Sequence, residues 1–255
     1  MENEMLCSVI VPAYNCEHTL CESVESALAQ TYSNLEILIV DDCSSDNTAL
    51  VMQELAARDK RVRCISLSQN GGVAEARNKA FAEAKGLYCA FLDSDDLWAP
   101  QKIETQIALL EKGLGDFSYS SYSFINGEGT EIGKAKLVPD SCTLSDLLKE
   151  NFILCSSVVM KTEICKFYAM DGTFSHEDFV YWLTLLREGF KAIGYTSPLV
   201  KYRVYEKNRS GNKVKAAHDR WIVYRQFLNL DIARSCGYFL SYTFHGLLKY
   251  SRLKK

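Results

Sequence analysis

The chain has 255 residues, of which 47% are hydrophobic and 24% are charged, and its formal net charge is -3. This composition is ordinary for a soluble globular protein, and the weak net charge argues against nucleic acid as a partner. The 10 cysteines form no Cys-x-x-Cys pair, which argues against a zinc site and a disulfide framework and favours a reducing cytoplasm.

The first half alternates short apolar runs with helical patterns. Four β-branched or apolar runs predict buried strands, and three amphipathic segments between them predict helices. Such an alternation is typical of a parallel sheet with right-handed crossovers. The expected strands are Cys7–Val11, Leu35–Val40, Val62–Leu67 and Tyr88–Leu92.

The second half has a different pattern, with an aromatic strand at Phe117–Phe124 and a turn at Asn126–Gly129 that predicts an antiparallel return. Glu206–Lys215 is polar and interrupted by Gly211, so we expect a mobile loop. The other expected strands are Ser156–Lys161, Ala192–Tyr195 and Leu199–Tyr202. The expected helices are Gln101–Lys112, Leu144–Asn151, His218–Leu230, Tyr238–Tyr250 and one that begins at Ser175–Asp178.

Three acidic groups stand just after predicted strands or at a helix start: Asp41-Asp42, Asp93-Ser94-Asp95-Asp96 and Glu177-Asp178. Each by itself could be a helix cap or an acidic turn. Gathered at one cleft they would repel each other unless a cation or hydrogen-bond donors lie there. Asp93 and Asp95 could both reach one divalent cation and the diphosphate that it holds.

Five motifs resemble those of family 2 glycosyltransferases, and the resemblance extends from about residue 5 to residue 205. They are Ser8–Asn15, Val40–Thr48, Asn70–Asn78, Phe91–Trp98 and His176–Asp178. The resemblance implies an α/β protein of the GT-A fold: a Rossmann-like nucleotide-binding half with a mostly parallel sheet, a mixed acceptor half, and C-terminal helices. We expect residues 1–98 and 99–215 to form these halves of one domain, followed by a helical tail at 216–255.

The same resemblance implies an inverting, metal-dependent hexosyltransferase. It would move a sugar from a nucleotide diphosphate sugar, with UDP as the expected nucleotide, to a hydroxyl of a glycan acceptor. The acceptor is expected to be lipid-linked and to belong to the synthesis of a surface polysaccharide such as lipopolysaccharide. An enzyme of this kind would work in the cytoplasm or on the inner face of the membrane.

The motif positions also imply the roles of individual residues. Asp178 would be the general base with Glu177 beside it, and Asp95 would hold Mn²⁺ or Mg²⁺. Asp93 would hold the ribose. The residues expected to bind the nucleotide are Pro12, Ala13, Tyr14, Asn15, Asp41, Asp42, Gly72, Arg77, Asp93 and Ser94.

The sequence departs from the family pattern in three places. The tail beyond about residue 215 carries no family signature. Position 43 is Cys instead of the usual Gly, and Tyr205 follows Tyr202-Arg203-Val204 where the family has His. The cation would then be held by Asp95, the diphosphate and waters, or His218 would supply the missing nitrogen. A catalytically inactive, nucleotide-sugar-binding scaffold is the main alternative function. A Rossmann dehydrogenase is disfavoured because Pro12–Asn15 replaces the glycine-rich turn.

The tail carries aromatic and leucine residues beside a basic end. Tyr238, Phe239, Tyr242, Leu247 and Leu248 adjoin Lys249, Arg252, Lys254 and Lys255. This pattern suits an interfacial helix that contacts a membrane surface, or equally a helix packed on the protein body with a solvated end. No run of 18 apolar residues predicts a span, and Met1–Glu4 does not resemble the start of a signal peptide.

Overall fold

A computed structural model describes residues 5–205 and 213–253. Its centre is one 10-stranded sheet in the order β3-β2-β1-β4-β9-β6-β10-β5, with β7 beside β6 and β8 beside β10. The strands are β1 Cys7–Ala13, β2 Leu35–Asp41, β3 Val62–Ser66, β4 Tyr88–Phe91, β5 Leu97–Trp98, β6 Phe117–Ile125, β7 Glu131–Lys136, β8 Ser141–Cys142, β9 Val159–Lys161 and β10 Ala192–Arg203.

Helices cover both faces of the sheet, and two apolar clusters lie between the layers. The helices are α1 Leu20–Leu28, α2 Thr48–Arg58, α3 Val73–Glu83, α4 Lys102–Glu111, α5 Leu144–Lys149, α6 Thr162–Phe167, α7 Glu177–Arg187, α8 Lys213–Ile222 and α9 Ile232–Leu253.

The first half has the predicted parallel arrangement. Strands β1 and β2 pair in parallel from Cys7 opposite Leu35 to Ala13 opposite Asp41, and β4 pairs in parallel with the other side of β1. β1, β2 and β4 are buried along their whole length, as expected for strands covered by helices on both faces. Their carboxyl ends therefore open on one edge, where ligands bind in open α/β sheets.

The prediction for the second half was partly wrong. The turn at Asn126–Gly129 does return the chain as an antiparallel strand, since β7 pairs with β6. However, β6 and β10 are parallel and in register from Ala192 opposite Phe117, because β9 and helices α5 to α7 intervene in the chain. The two strands expected within 192–202 are one strand, β10, whose register shifts at Pro198.

Other boundaries also differ from the sequence-based prediction. Cys155–Ser157 forms a short 3-10 turn before β9, so the expected strand from Ser156 begins only at Val159. Helix α6 was not foreseen, because it is short and lacks the side-chain cap that Thr143 gives the equally short α5. Of the predicted loop, residues 206–212 lie outside the described residues, and α8 already begins at Lys213.

Candidate active site

The loop after β4 is fixed from the second half of the chain. Asp96 is fully buried and accepts hydrogen bonds from the Ser156 hydroxyl at 2.5 Å and the Arg203 amide at 2.9 Å. Burial and the neighbouring Asp95 raise the pKa of Asp96 well above its usual value. Ser156 also accepts from the Asp93 amide at 3.0 Å. Asp96 therefore shapes the loop that presents Asp93 and Asp95.

Arg203 is the second support of this loop, and sequence reasoning missed it. Its side chain is 2% exposed. Nε donates to the Asp95 carbonyl at 2.8 Å, and Nη1 donates to the Gly127 carbonyl at 2.9 Å. Nη2 pairs with Glu22 at 2.6 Å. One guanidinium thus connects the acidic loop, the β6–β7 turn and α1.

Asp95 is the group best suited to a cation. Asp95 lines a cavity of 760 Å³ that Asp93 and Asp178 also line. Burial, followed by the charge of Asp93, raises the pKa of Asp95 to about 6. A cation would relieve this cost, and carboxylate oxygen is a ligand that Mg²⁺ and Mn²⁺ accept. The described residues contain no group of three side chains able to hold a metal. Asp95 could therefore hold a cation only together with waters or with ligands supplied by another molecule.

Asp42 closes the turn before α3. Its carboxylate accepts the amide of Gly71 at 2.8 Å and that of Gly72 at 2.9 Å, and Gly72 has the positive φ of 86° that favours glycine. Asp42 and Gly72 both line the cavity. Because both amides donate to Asp42, this turn does not present them to a phosphate.

Asn15 and Asp41, both expected to bind the nucleotide, do not line this cavity. Asp41 accepts hydrogen bonds from the amide and hydroxyl of Ser44, at 3.0 and 2.5 Å. Asn15 has a φ of 48° and accepts the Ser45 amide at 2.8 Å. Side chains alternate along a strand, so Asp41 turns away from the face that Asp42 occupies. Both residues support the loop after β2 instead.

Arg77 joins the two halves of the site. Its side chain, on α3, is 4% exposed and pairs with Asp93 at 2.6 Å and with Glu177 at 3.0 Å. Asp93 follows β4, whereas Glu177 begins α7, 100 positions away from Arg77 in the sequence. The guanidinium therefore holds the start of α7 against the acidic loop.

Arg77→Met is expected to lower the free energy of unfolding by about 3 kcal/mol, because it removes the buried cation that pairs with the buried Glu177 and the partly exposed Asp93. Urea denaturation would measure the loss. Arg63→Met is the matched control, since Arg63 also pairs with two carboxylates, Glu36 and Glu83, but is 33% exposed. The control should lose less, because the buried Glu36 keeps hydrogen bonds from the Ser8 hydroxyl and the Lys85 amide. Equal losses would contradict the importance of the buried bridge.

Asp178 lies at the amino end of α7 and lines the cavity. Its carboxylate accepts the Phe179 amide at 2.7 Å. Burial, followed by the charge of Glu177, raises the pKa of Asp178 to about 6 in spite of nearby Arg77. A half-buried carboxylate with a pKa just below neutrality is ionised at pH 7 and can accept a proton.

The structure brings most of the predicted residues to one cavity of 760 Å³. Its lining includes Pro12, Ala13, Tyr14, Asp42, Gly72, Arg77, Asp93, Ser94, Asp95, Glu177 and Asp178. It also includes Cys155, Tyr205 and, from α8, Lys215 and Asp219, which sequence reasoning did not assign. Tyr205, at the position of the expected histidine, is 39% exposed. His218 does not line the cavity, and its side chain is 70% exposed beside Asp219.

A mostly parallel sheet with an acidic loop at its carboxyl edge and a carboxylate across the cavity agrees with the arrangement expected of a glycosyltransferase of the GT-A type. The model of the family described as Glycosyl transferase family 2 matches residues 8–171. The chain belongs to this family, as the five motifs indicated.

Two curated relatives match along nearly their whole length. TuaG of Bacillus subtilis, whose name assigns it provisionally to teichuronic acid biosynthesis, is 37% identical over 96% of this chain and 97% of its own. The second is WfgD of Escherichia coli, a UDP-Glc:α-D-GlcNAc-diphosphoundecaprenol β-1,3-glucosyltransferase. It is 36% identical over 98% of this chain and 96% of its own.

Solved structures confirm the fold. TarS of S. aureus in complex with UDP-GlcNAc superposes with a TM-score of 0.71 at 21% identity, over 92% of this chain and 70% of that one. The mannosyltransferase PcManGT of Pyrobaculum calidifontis, in complex with GDP-Man and Mn²⁺, superposes with a TM-score of 0.71 at 16% identity. The match covers 93% of this chain and 70% of that one. The GT-A assignment of the sequence analysis is therefore confirmed.

Proposed function

We propose that this glycosyltransferase moves a sugar from a UDP-sugar to a hydroxyl of a lipid-linked glycan, with inversion at the anomeric carbon. One observation carries the proposal: the acidic loop with Asp93 and Asp95 and the start of α7 with Asp178 line the same cavity. A donor held at the loop would present its anomeric carbon toward α7. An acceptor hydroxyl beside Asp178 would then attack from the opposite side.

Asp178 is proposed as the general base. A hydroxyl that attacks the anomeric carbon must lose its proton as the new bond forms, and a positioned carboxylate can take it. The Phe179 amide and the Glu177–Arg77 pair fix the carboxylate at the helix start. Glu177 is proposed to act in positioning, since its own carboxylate is paired with Arg77 at 3.0 Å.

The donor would lie between the loop after β1 and the acidic loop. Pro12, Ala13 and Tyr14 line one end of the cavity with Asp42 and are proposed to receive the base. Asp93, beside Arg77, is proposed to hold the ribose, and Asp95 the cation. Bound Mg²⁺ or Mn²⁺ would offset the charge that develops on the departing diphosphate.

The identities of donor and acceptor rest on the relatives. UDP or a UDP-sugar occupies TarS, and the name of WfgD specifies a UDP-sugar donor and a diphosphoundecaprenol-linked acceptor. Both TuaG and WfgD match almost the whole chain. We therefore propose a surface polysaccharide pathway and work at the inner face of the membrane. None of the helices in the described ranges is sufficiently long and apolar to cross a bilayer.

The proposal is tested by presenting UDP-sugars, with GDP-mannose as the comparison, in thermal shift with Mn²⁺. A ligand that binds only the folded state raises its melting temperature. The donor that raises it most is then offered with a synthetic diphosphate-lipid sugar, and a β-linked product is expected. An inactive scaffold would bind the donor without releasing nucleoside diphosphate or forming product.

The transfer rate is expected to rise with pH through about pH 6. The raised pKa of Asp178 means that the base is protonated, and unable to accept a proton, below that value. At pH 5 about a tenth of the carboxylates would be ionised, so the rate should fall roughly ten-fold from its plateau. The pH profile of kcat/KM measures this limb. A profile that is flat between pH 5 and 7 would contradict the assignment of Asp178.

A further inference from the structure

Helix α9 has a packed face and an outer face of opposite character. On the packed side, Tyr238 contacts Tyr224 with ring centroids 6.1 Å apart, and Phe239 contacts Trp221 at 5.7 Å. Tyr242 covers the Arg220 guanidinium at 4.7 Å. The three aromatic residues that the sequence suggested for membrane contact are therefore engaged with the protein body.

The outer face of α9 consists of six exposed, uncharged residues. At 3.6 residues per turn they fall within an arc of about 120°. Ile232 is 65% exposed, Leu240 71% and Phe244 60%. The six residues are Ile232, Ala233, Cys236, Leu240, Thr243 and Phe244.

The charge of this segment indicates what the outer face contacts. Of the 29 Lys and Arg residues in the chain, five fall within 232–255, whereas none of the 32 Asp and Glu residues does. The rest of the chain is accordingly acidic. Two copies of so basic a segment would repel each other, whereas an anionic bilayer would attract it, by about 1 kcal/mol per basic residue near the surface.

We infer that the outer face of α9 lies on an anionic phospholipid bilayer, with its apolar side chains inserted among the headgroups. An interfacial helix combines an apolar face with nearby Lys and Arg in this way. The inference deepens the proposed function, since a lipid-linked acceptor is met at such a surface. The test measures membrane binding and requires no catalysis. The bilayer contact and the proposed transferase function can therefore be refuted independently.

The test is flotation of the full chain with vesicles of phosphatidylglycerol and phosphatidylcholine, and with vesicles of phosphatidylcholine alone. The unaltered chain should float with the anionic vesicles and much less with the neutral ones. Leu240→Asp should weaken binding to the anionic vesicles at least about ten-fold. The variant loses a leucine that would be buried in the bilayer, and it gains a negative charge that the anionic lipids repel. Truncation at Gly237 is less suitable, since it would also remove the packing of Tyr238 and Phe239.

Leu114→Asp is the matched control. Leu114 is 52% exposed, follows α4 and is remote in sequence from α9, so its substitution should leave flotation unchanged. Both variants should retain the melting temperature and the donor hydrolysis of the unaltered chain. Equal flotation of the two variants, or no flotation of the unaltered chain, would overturn the inference. A dimer in size-exclusion chromatography that only Leu240→Asp dissociates would instead identify a second copy as the occupant.

Discussion

Asp178→Asn is expected to reduce sugar transfer by roughly 10²–10⁴-fold while donor binding stays intact. The amide keeps the shape of the side chain but cannot take the acceptor's proton. Asp178 lies on α7 and is not among the residues proposed to receive the base, so donor binding does not depend on it. Turnover and donor affinity, measured on the same preparation, separate these two effects.

The competing explanation is that Asp178 only stabilises the amino end of α7. A carboxylate at such a position contributes about 0.3–1 kcal/mol, so the variant would be slightly less stable and fully active. Asp219→Asn is the matched control, because Asp219 also lines the cavity but lies on α8. We expect its transfer rate to remain within about ten-fold of the original, well short of the loss expected for a general base.

Asp95→Ala and an excess of EDTA are each expected to reduce transfer by about three orders of magnitude. A bound metal typically contributes several kcal/mol to stabilisation of a leaving group. In the absence of metal, burial and Asp93 raise the pKa of Asp95, so ionised Asp95 costs the folded state stability near neutral pH. Asp95→Ala should therefore leave the free energy of unfolding unchanged or slightly higher. This result would distinguish a functional loss from misfolding.

His218→Ala is the control for the way the metal is held. Because His218 is largely exposed and outside the cavity lining, its removal should change activity little with either metal. Mg²⁺ should then support nearly the same rate as Mn²⁺, since no imidazole favours the latter. A large loss that occurs only with Mn²⁺ would show that His218 moves into the site. Full turnover in excess EDTA would refute the metal proposal itself.

The sequence predicted best the features that depend on residues close together in the chain. Strands β1, β2 and β4 were predicted because buried parallel strands are continuous apolar runs, and the ends of β2 and β4 placed Asp42 and Asp95 at one edge of the sheet. Strand β3 was also predicted as buried, but it lies at the edge of the sheet and is buried only at Val62. The motif at Asp178 was likewise found at a helix start. Local pattern and motif order therefore sufficed for the fold class and for 11 of the residues that line the cavity.

The supports of the site could not be predicted, because they depend on side chains brought together by tertiary folding. Arg203 donates to the Asp95 carbonyl across 108 positions, and nothing in the local sequence indicates that contact. Asp41 and Asp42 are adjacent and chemically identical, yet only Asp42 lines the cavity. The direction of each side chain depends on the strand register, which the motif alone does not specify.

The bridge made by Arg77 has a consequence for how the enzyme binds its two substrates. Asp93, proposed to meet the donor, and Glu177, adjacent to the proposed base, share one guanidinium. A donor that binds to Asp93 would change the ion pair between Asp93 and Arg77. It would thereby change the ion pair between Arg77 and Glu177 at the start of α7. By thermodynamic linkage, the affinities for the two substrates must then depend on each other. We expect the affinity measured for the acceptor to change when the sugar nucleotide is bound, and the affinity for the sugar nucleotide to change by the same factor when the acceptor is bound.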